Sequence, residues 1–255
     1  SSILLLVALG LALSFGLMNV INLAHGEFIM IGAYTVYGLQ QLASHLTGDV
    51  SPGVTFLIAI PLSFLVAGVV GMLVENCLIR FLYRRPLDTL LATWGLGLIL
   101  QQVFRSVFGP REKTVTMPDW LLGSYRATDM IDIPLNGLFI LVITLVLTVA
   151  LFALLYRSRW GIKVRATTQN RSMANAAGIN TDRVDRLTFA LGCGIAGVAG
   201  AAFTTIASTG PTTGSLYIVD TFLVVVFGGA ASLLGTVVSA FGIVNTAECP
   251  HSSSA

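Results

Sequence analysis

The chain has 255 residues, of which 55% are hydrophobic and 10% charged, with a mean hydropathy of +0.85. Soluble domains carry about 25% charged residues, so this chain lacks the polar surface of a water-soluble globule. Its net charge of +2, from 14 Lys+Arg against 12 Asp+Glu, excludes a nucleic-acid footprint and makes the placement of charge the informative feature. Cys77, Cys193 and Cys249 show neither CxxC spacing nor a His partner at ligand spacing, which argues against a disulfide framework and a metal site.

A helix needs about 20 residues to cross a hydrocarbon layer of roughly 30 Å. Seven stretches qualify, covering residues 3 to 18, 27 to 44, 54 to 80, 88 to 108, 133 to 156, 187 to 208 and 217 to 244. The expected fold is therefore all-α, a polytopic transmembrane helical bundle. The fifth stretch is the clearest, since Leu138 to Tyr156 carries no charge. The fourth holds Gln101, Gln102 and Arg105 and is expected to be protein-facing, broken or re-entrant. Glu75, Arg105 and Asp220 are expected near interfaces, Glu75 within reach of Arg80 and Asp220 at the start of the last helix. The chain begins at Ser1 without Met and is apolar almost at once, so residues ahead of Ser1 are expected in the natural protein.

Loop charge gives an independent orientation, because cytoplasmic loops are enriched in Lys and Arg. Arg80, Arg84 and Arg85 follow the third stretch, and Arg157, Arg159, Lys163, Arg165, Arg171, Arg183 and Arg186 follow the fifth. Both loops should be cytoplasmic. The loop around Asp49 has no basic residue, and residues 109 to 132 balance Arg111, Lys113 and Arg126 against Glu112, Asp119, Asp129 and Asp132; both should face outside. Small residues at i+4 spacing, Gly192, Ala196 and Gly200 and then Ala231, Gly235 and Ser239, predict close helix packing.

The first polar feature is Asn19, Asn22, His25 and Glu27, set between two apolar stretches. Polar groups at membrane depth face the bundle interior or a water-filled path. These residues read either as part of a solute path or as a solvated cytoplasmic turn capping the next helix. His25-Gly26-Glu27 matches half of a zinc-deaminase signature, but the accompanying P-C-x-x-C is absent. There is also no phosphate-binding G-x-x-x-x-G-K-[ST] loop and no arrangement of hydrolytic residues, so ATP binding by that motif and enzymatic catalysis are not expected.

The stretch from Arg157 to Arg186 contains a short helical pattern at Met173, Ala176 and Ala177, closed by Gly178 as a C-cap and restarted at Thr181 and Asp182. It reads as a docking surface for a cytoplasmic partner or as a basic loop that fixes topology.

Three segments, NVINLAHGEFIMIGAYTVY, RPLDTLLATWGLGLILQQVFRSVFGP and RATTQNRSMANAAGINTDRVDRLTFALG, resemble the inner-membrane permeases of branched-chain amino-acid ABC importers, the LivH type. Within that group, LLATWGLGLILQQ and the later MPDW are most similar to the urea-permease branch. The resemblance implies a multi-pass permease of a bacterial inner membrane, spanning residues 1–246 and followed by a polar tail at 247–255. It also implies as partners a second permease subunit, two cytoplasmic ATP-binding subunits, a periplasmic solute-binding protein and the lipid bilayer, with no cofactor on this chain. Ala177, Gly178 and Asn180 would lie in the segment coupling to the ATPase, with Arg165 in the same loop. Asn19, Asn22, Thr93, Gln101 and Gln102 offer amide and hydroxyl partners to a neutral solute, so urea or a short amide is the expected cargo. A branched-chain amino acid is the alternative, and a passive channel or secondary transporter is the reading from another class. The family continues with apolar helix where this chain reads AECPHSSSA, so the tail is expected to depart from the family pattern.

Overall fold

The computed structural model describes residues 2–18, 21–47, 52–82, 86–118, 121, 123–128, 131–229 and 233–247. Helix α1 covers Ser2–Ala12 and runs on through a π-helical turn at Leu13–Leu17. Helix α2 is His25–Thr47, α3 is Pro52–Leu82 with a π-helical turn at Glu75–Ile79, and α4 is Pro86–Phe108. A small antiparallel hairpin, β1 (Ser124–Thr128) and β2 (Ile131–Pro134), precedes α5 (Leu135–Arg157). Two short helices, α6 (Arg159–Gln169) and α7 (Arg171–Ala176), lead to α8 (Thr181–Phe203), α9 (Thr213–Gly228) and α10 (Leu233–Ala247).

Among the described residues, α3, α4, α5 and α8 contain stretches long and apolar enough to cross a membrane, while Ser2–Leu17 and α9 are shorter apolar helices. Burial separates their roles. The apolar window of α8 is 83% buried, against 17 to 28% for the other three, so α8 is the axis and the others present Leu65, Val69, Leu98, Leu145 and Val146 outward. That outward apolar belt is what a lipid surround requires.

Lipid is as apolar as leucine, so helices in it associate through close packing rather than through burial from water. Helix α8 meets this with the run LGCGIAGVAGAAF. A Cβ on Gly192 would stand 2.6 Å from the Gly10 carbonyl oxygen, and one on Gly10 would stand 2.5 Å from that of Gly192. Gly32 of α2 abuts the Gly197 backbone, and Gly200 abuts that of Ile29. A Cβ on Gly197 would lie 2.7 Å from the Ser63 carbonyl oxygen of α3, and the Ser63 hydroxyl donates to the Gly32 carbonyl at 3.1 Å. Helices α1, α2 and α3 thus touch α8 backbone to backbone, and the spacing of Gly192, Ala196 and Gly200 marks its inner face. Of the second small-residue triplet, Gly235 of α10 packs against Gly228 of α9.

The fourth stretch is neither broken nor protein-facing: α4 is one uninterrupted helix, and its apolar window is 17% buried. Its Gln101 turns inward to a partner on α2, while Gln102 and Arg105 are exposed, so the polar residues need no break. The interruption lies instead in the seventh stretch, where Gly229 has φ +81° and separates α9 from α10. Asp220 is consequently mid-helix and exposed on α9, not at a helix start.

The two basic stretches expected on one face do share one end of the bundle. Arg80 pairs with Asp182 at 3.5 Å, and Arg171 reaches Asp182 at 3.3 Å and Asp185 at 2.7 Å. Glu75 is buried and pairs with Arg186 at 3.4 Å rather than with Arg80; Arg186 also donates to the Asn76 side-chain oxygen at 3.0 Å. Asn19, Asp49, Arg84, Arg85, Asp119, Asp129, Ala231, Cys249 and the tail beyond Ala247 lie outside the described residues.

Replacing Gly192 with Val should destabilise the folded protein by about 1–3 kcal/mol or more, because the added carbons meet backbone that cannot move aside. Gly38→Ala, where a Cβ meets nothing within 4 Å, should be neutral or slightly stabilising. Thermal unfolding of the two variants in detergent checks this ordering.

Candidate solute pathway

The position of the polar stretch follows from where α1 ends and α2 begins. The Thr168 hydroxyl of α6 donates to the Leu17 carbonyl at 3.0 Å, which places Leu17 at the basic end. The chain then folds back, and the His25 ring nitrogen Nε2 lies 3.3 Å from the Val7 carbonyl of α1. Val7 precedes Leu17 by ten residues, about 15 Å of helix rise. Helix α2 therefore starts deep within the bundle rather than at its end. Of the two readings of the polar stretch, the solvated turn is the one this geometry disfavours.

Non-helical backbone at that depth is tolerated only where its polar groups find partners inside the protein. Asn22 and Thr93 supply them. The Asn22 side-chain oxygen accepts from Ala24 N at 3.1 Å, and the Asn22 carbonyl accepts from His25 N at 3.3 Å. Leu23 N donates to the Thr93 hydroxyl of α4 at 3.2 Å, and that hydroxyl donates to the Leu90 carbonyl at 3.0 Å. In the first turn of α2, Glu27 accepts from the Gln101 side-chain amide at 2.7 Å. Gly26, between the two polar residues, presses on the Gly214 backbone of α9.

Asn22, His25, Glu27 and Thr93, all buried, and the half-buried Gln101 thus form one polar layer where α1, α2, α4 and α9 meet. Asn22, His25 and Glu27 are at most 3% exposed, yet Asn22 Nδ2, His25 Nδ1 and Glu27 Oε2 have no hydrogen-bond partner among the described residues. A layer of this kind can exchange hydrogen bonds with a polar solute. Gln102 is not part of it, being exposed on the adjoining face of α4. Asn19 lies outside the described residues.

Further along the same side of α2, two spaces open that sequence periodicity did not mark as functional. An open groove of about 290 Å³ between α2, α3 and α4 is lined by Ile31, Tyr34, Val66, Val70, Leu100 and Phe104, among others. The Tyr34 ring lies 5.0 Å from that of Phe104 and 4.7 Å from that of Phe108. Beyond it, a polar pocket of about 220 Å³ is lined by Tyr37, Gln40, Gln41, Ser44, Thr114 and Thr116. Gln40 clamps Thr116 there, donating to its carbonyl at 2.9 Å and accepting from its backbone N at 3.1 Å. Lys113 caps the Tyr37 ring at 5.6 Å.

At the basic end, Ala177, Gly178 and Asn180 form one exposed tip. Gly178 has φ +80°, the left-handed conformation expected of a C-cap glycine, and Ile179 N closes the turn on the Ala174 carbonyl at 3.0 Å. The next helix is capped by Asn180, whose side-chain oxygen accepts from Arg183 N at 3.1 Å. The helix starts at Thr181, as the Thr-Asp pair indicates, and the Thr181 hydroxyl donates to the Asn175 side chain at 3.1 Å. Arg165 is not at this tip; it lies on α6 with its guanidinium 5.4 Å from the Tyr156 ring centroid. Helix α6 escaped the sequence pattern although its N-cap, Ser158 accepting from Gly161 N at 3.1 Å, was a readable signal.

Helices of spanning length around a small-residue axis, an apolar outer belt and a buried polar layer define a multi-pass membrane protein with the architecture of a transport subunit. The chain belongs to the family described as the branched-chain amino acid transport system permease component, which matches residues 1–248. It is 28% identical over 251 residues to a probable branched-chain amino acid transport permease protein LivH of Methanocaldococcus jannaschii, covering 94% of this chain and 75% of that one. It is 28% identical to the high-affinity branched-chain amino acid transport system permease protein LivH of Salmonella typhimurium, over 97% of this chain and 81% of that one. The corresponding protein BraD of Pseudomonas aeruginosa is 29% identical, over 90% of this chain and 76% of that one. No solved structure matches the chain.

Thr93→Val keeps the shape of the side chain but leaves Leu23 N unpaired, and should cost about 1–3 kcal/mol of stability; Thr93→Ser should retain most of it. Asn22→Leu should reduce solute uptake more than membrane abundance. Measuring abundance and uptake side by side checks both, and equal loss of the two in Asn22→Leu would assign that residue to capping alone.

Proposed function

We propose that this chain is a permease subunit of an ATP-driven importer in a bacterial inner membrane and that its cargo is a branched-chain amino acid. The observation that carries this reading is the buried polar layer at the start of α2, in a chain whose family and relatives are named for branched-chain amino acid transport. The proposed partners are a second permease subunit, two cytoplasmic ATP-binding subunits and a periplasmic solute-binding protein. Hydrolysis of ATP would then take place on the partner subunits. The basic end of the bundle faces the cytoplasm in this reading, in accord with its Arg and Lys content.

Urea or a short amide is the second reading. It is favoured by the amide and hydroxyl character of Asn22, Thr93 and Gln101, which suits a neutral solute. Uptake of labelled leucine and labelled urea by cells carrying the complete system separates the two. Leucine uptake that disappears when the ATP-binding subunits are deleted supports the importer. Uptake that persists without them contradicts it and favours a passive channel.

The exposed tip at Ala177, Gly178 and Asn180 is the proposed contact with an ATP-binding subunit, since a short capped helix projecting from the bundle presents backbone and small side chains to a partner. Gly178→Arg should lower ATP-driven uptake by about tenfold or more while membrane abundance holds, because a bulky side chain is added at a left-handed position. Gly178→Asn, which tolerates that conformation, should retain most of the uptake. Normal uptake in Gly178→Arg would remove the coupling role.

A further inference from the structure

We infer that Glu27 holds the ammonium group of the transported amino acid and that the open groove between α2, α3 and α4 receives its branched aliphatic side chain. This rests on the amino-acid reading above. Glu27 is 3% exposed, and among the described residues no Lys or Arg forms an ion pair with it. Gln101 satisfies Oε1, while Oε2 has no hydrogen-bond partner among the described residues. A carboxylate at this depth is costly unless a cation meets it. Urea brings no cation; an amino acid brings one on every molecule.

The apolar half of the solute has a matching place. Ile31 and Tyr34 follow Glu27 on one face of α2 at i+4 and i+7, and both line the groove. On α4, Leu100 and Phe104 line the groove, and Gln101, which binds the Glu27 carboxylate, lies on the same helix one turn before Phe104. Val66 and Val70 of α3 line the opposite wall. Its volume of about 290 Å³ lies just below the roughly 300–1,000 Å³ usual for ligand sites, which suits a small solute. A charged acceptor beside an apolar, aromatic-walled space is the pattern that separates a branched-chain amino acid from both urea and a polar amino acid.

The test uses the whole importer, permeases, ATP-binding subunits and binding protein, in proteoliposomes. Glu27→Gln should lower leucine uptake by about tenfold or more at unaltered abundance, and Glu27→Asp should recover part of it. Phe104→Trp, which narrows the groove, should lower the ratio of leucine to alanine uptake. Wild-type leucine uptake in Glu27→Gln, or an unchanged leucine to alanine ratio in Phe104→Trp, would overturn the subsite while leaving the importer intact. A wild-type complex that moves urea and no leucine would instead overturn the functional reading beneath it.

Discussion

The close approach of backbones along α8 is the constraint on which the rest of the structure depends. In a lipid surround, apolar side chains gain little by leaving lipid for one another, so helices that must stay together need contact area and directional bonds. Glycines 192, 197 and 200 give α8 three faces on which α1, α2 and α3 settle without side chains between them. The Ser63 hydroxyl then ties α3 to α2 through the Gly32 carbonyl. Were these contacts a residue wider, α1 and α2 would no longer meet at Val7 and His25, and the return of the chain into the bundle would lose its anchor.

That return is what gives the protein a polar interior. Helix α2 begins part way through the bundle, so the residues before it carry backbone that α2 itself cannot satisfy. Thr93 and the Asn22 side chain take up those groups, and in doing so they bring α4 and α2 into register at Glu27 and Gln101. The cap holds the geometry, and the polar atoms left over are those proposed to meet the solute. The glycine pair at Gly26 and Gly214 admits α9 to the same point, so four helices converge on one layer.

The outline of the fold was legible because spanning length and loop charge are local properties. The stretches, their order and the common end of the basic loops all follow from them. The position of the break was not. Gln101, Gln102 and Arg105 looked like a fault in the fourth stretch because a sequence does not reveal that Gln101 has a partner 74 residues earlier in Glu27. The actual break falls at Gly228 and Gly229, a pair hidden in an otherwise apolar run. The Glu75 to Arg186 pair was equally out of reach, being separated by 111 residues, and the nearby Arg80 was the natural but incorrect partner. At the site, the polar members were visible by their cost in an apolar setting. The aromatic groove was not, since Tyr34, Phe104 and Phe108 look like ordinary membrane-helix residues until α2 and α4 are placed side by side.

The buried polar layer depends on the depth at which α2 starts, and side-chain accessibility reads that directly. In membrane vesicles, with Cys77, Cys193 and Cys249 replaced, a cysteine introduced by Ala24→Cys can be compared with one introduced by Gln169→Cys at the exposed basic end. Modification by a membrane-impermeant thiol reagent should be rapid at position 169 and much slower at position 24. Equal, rapid modification at both would place the polar stretch in a solvated turn and contradict the buried layer.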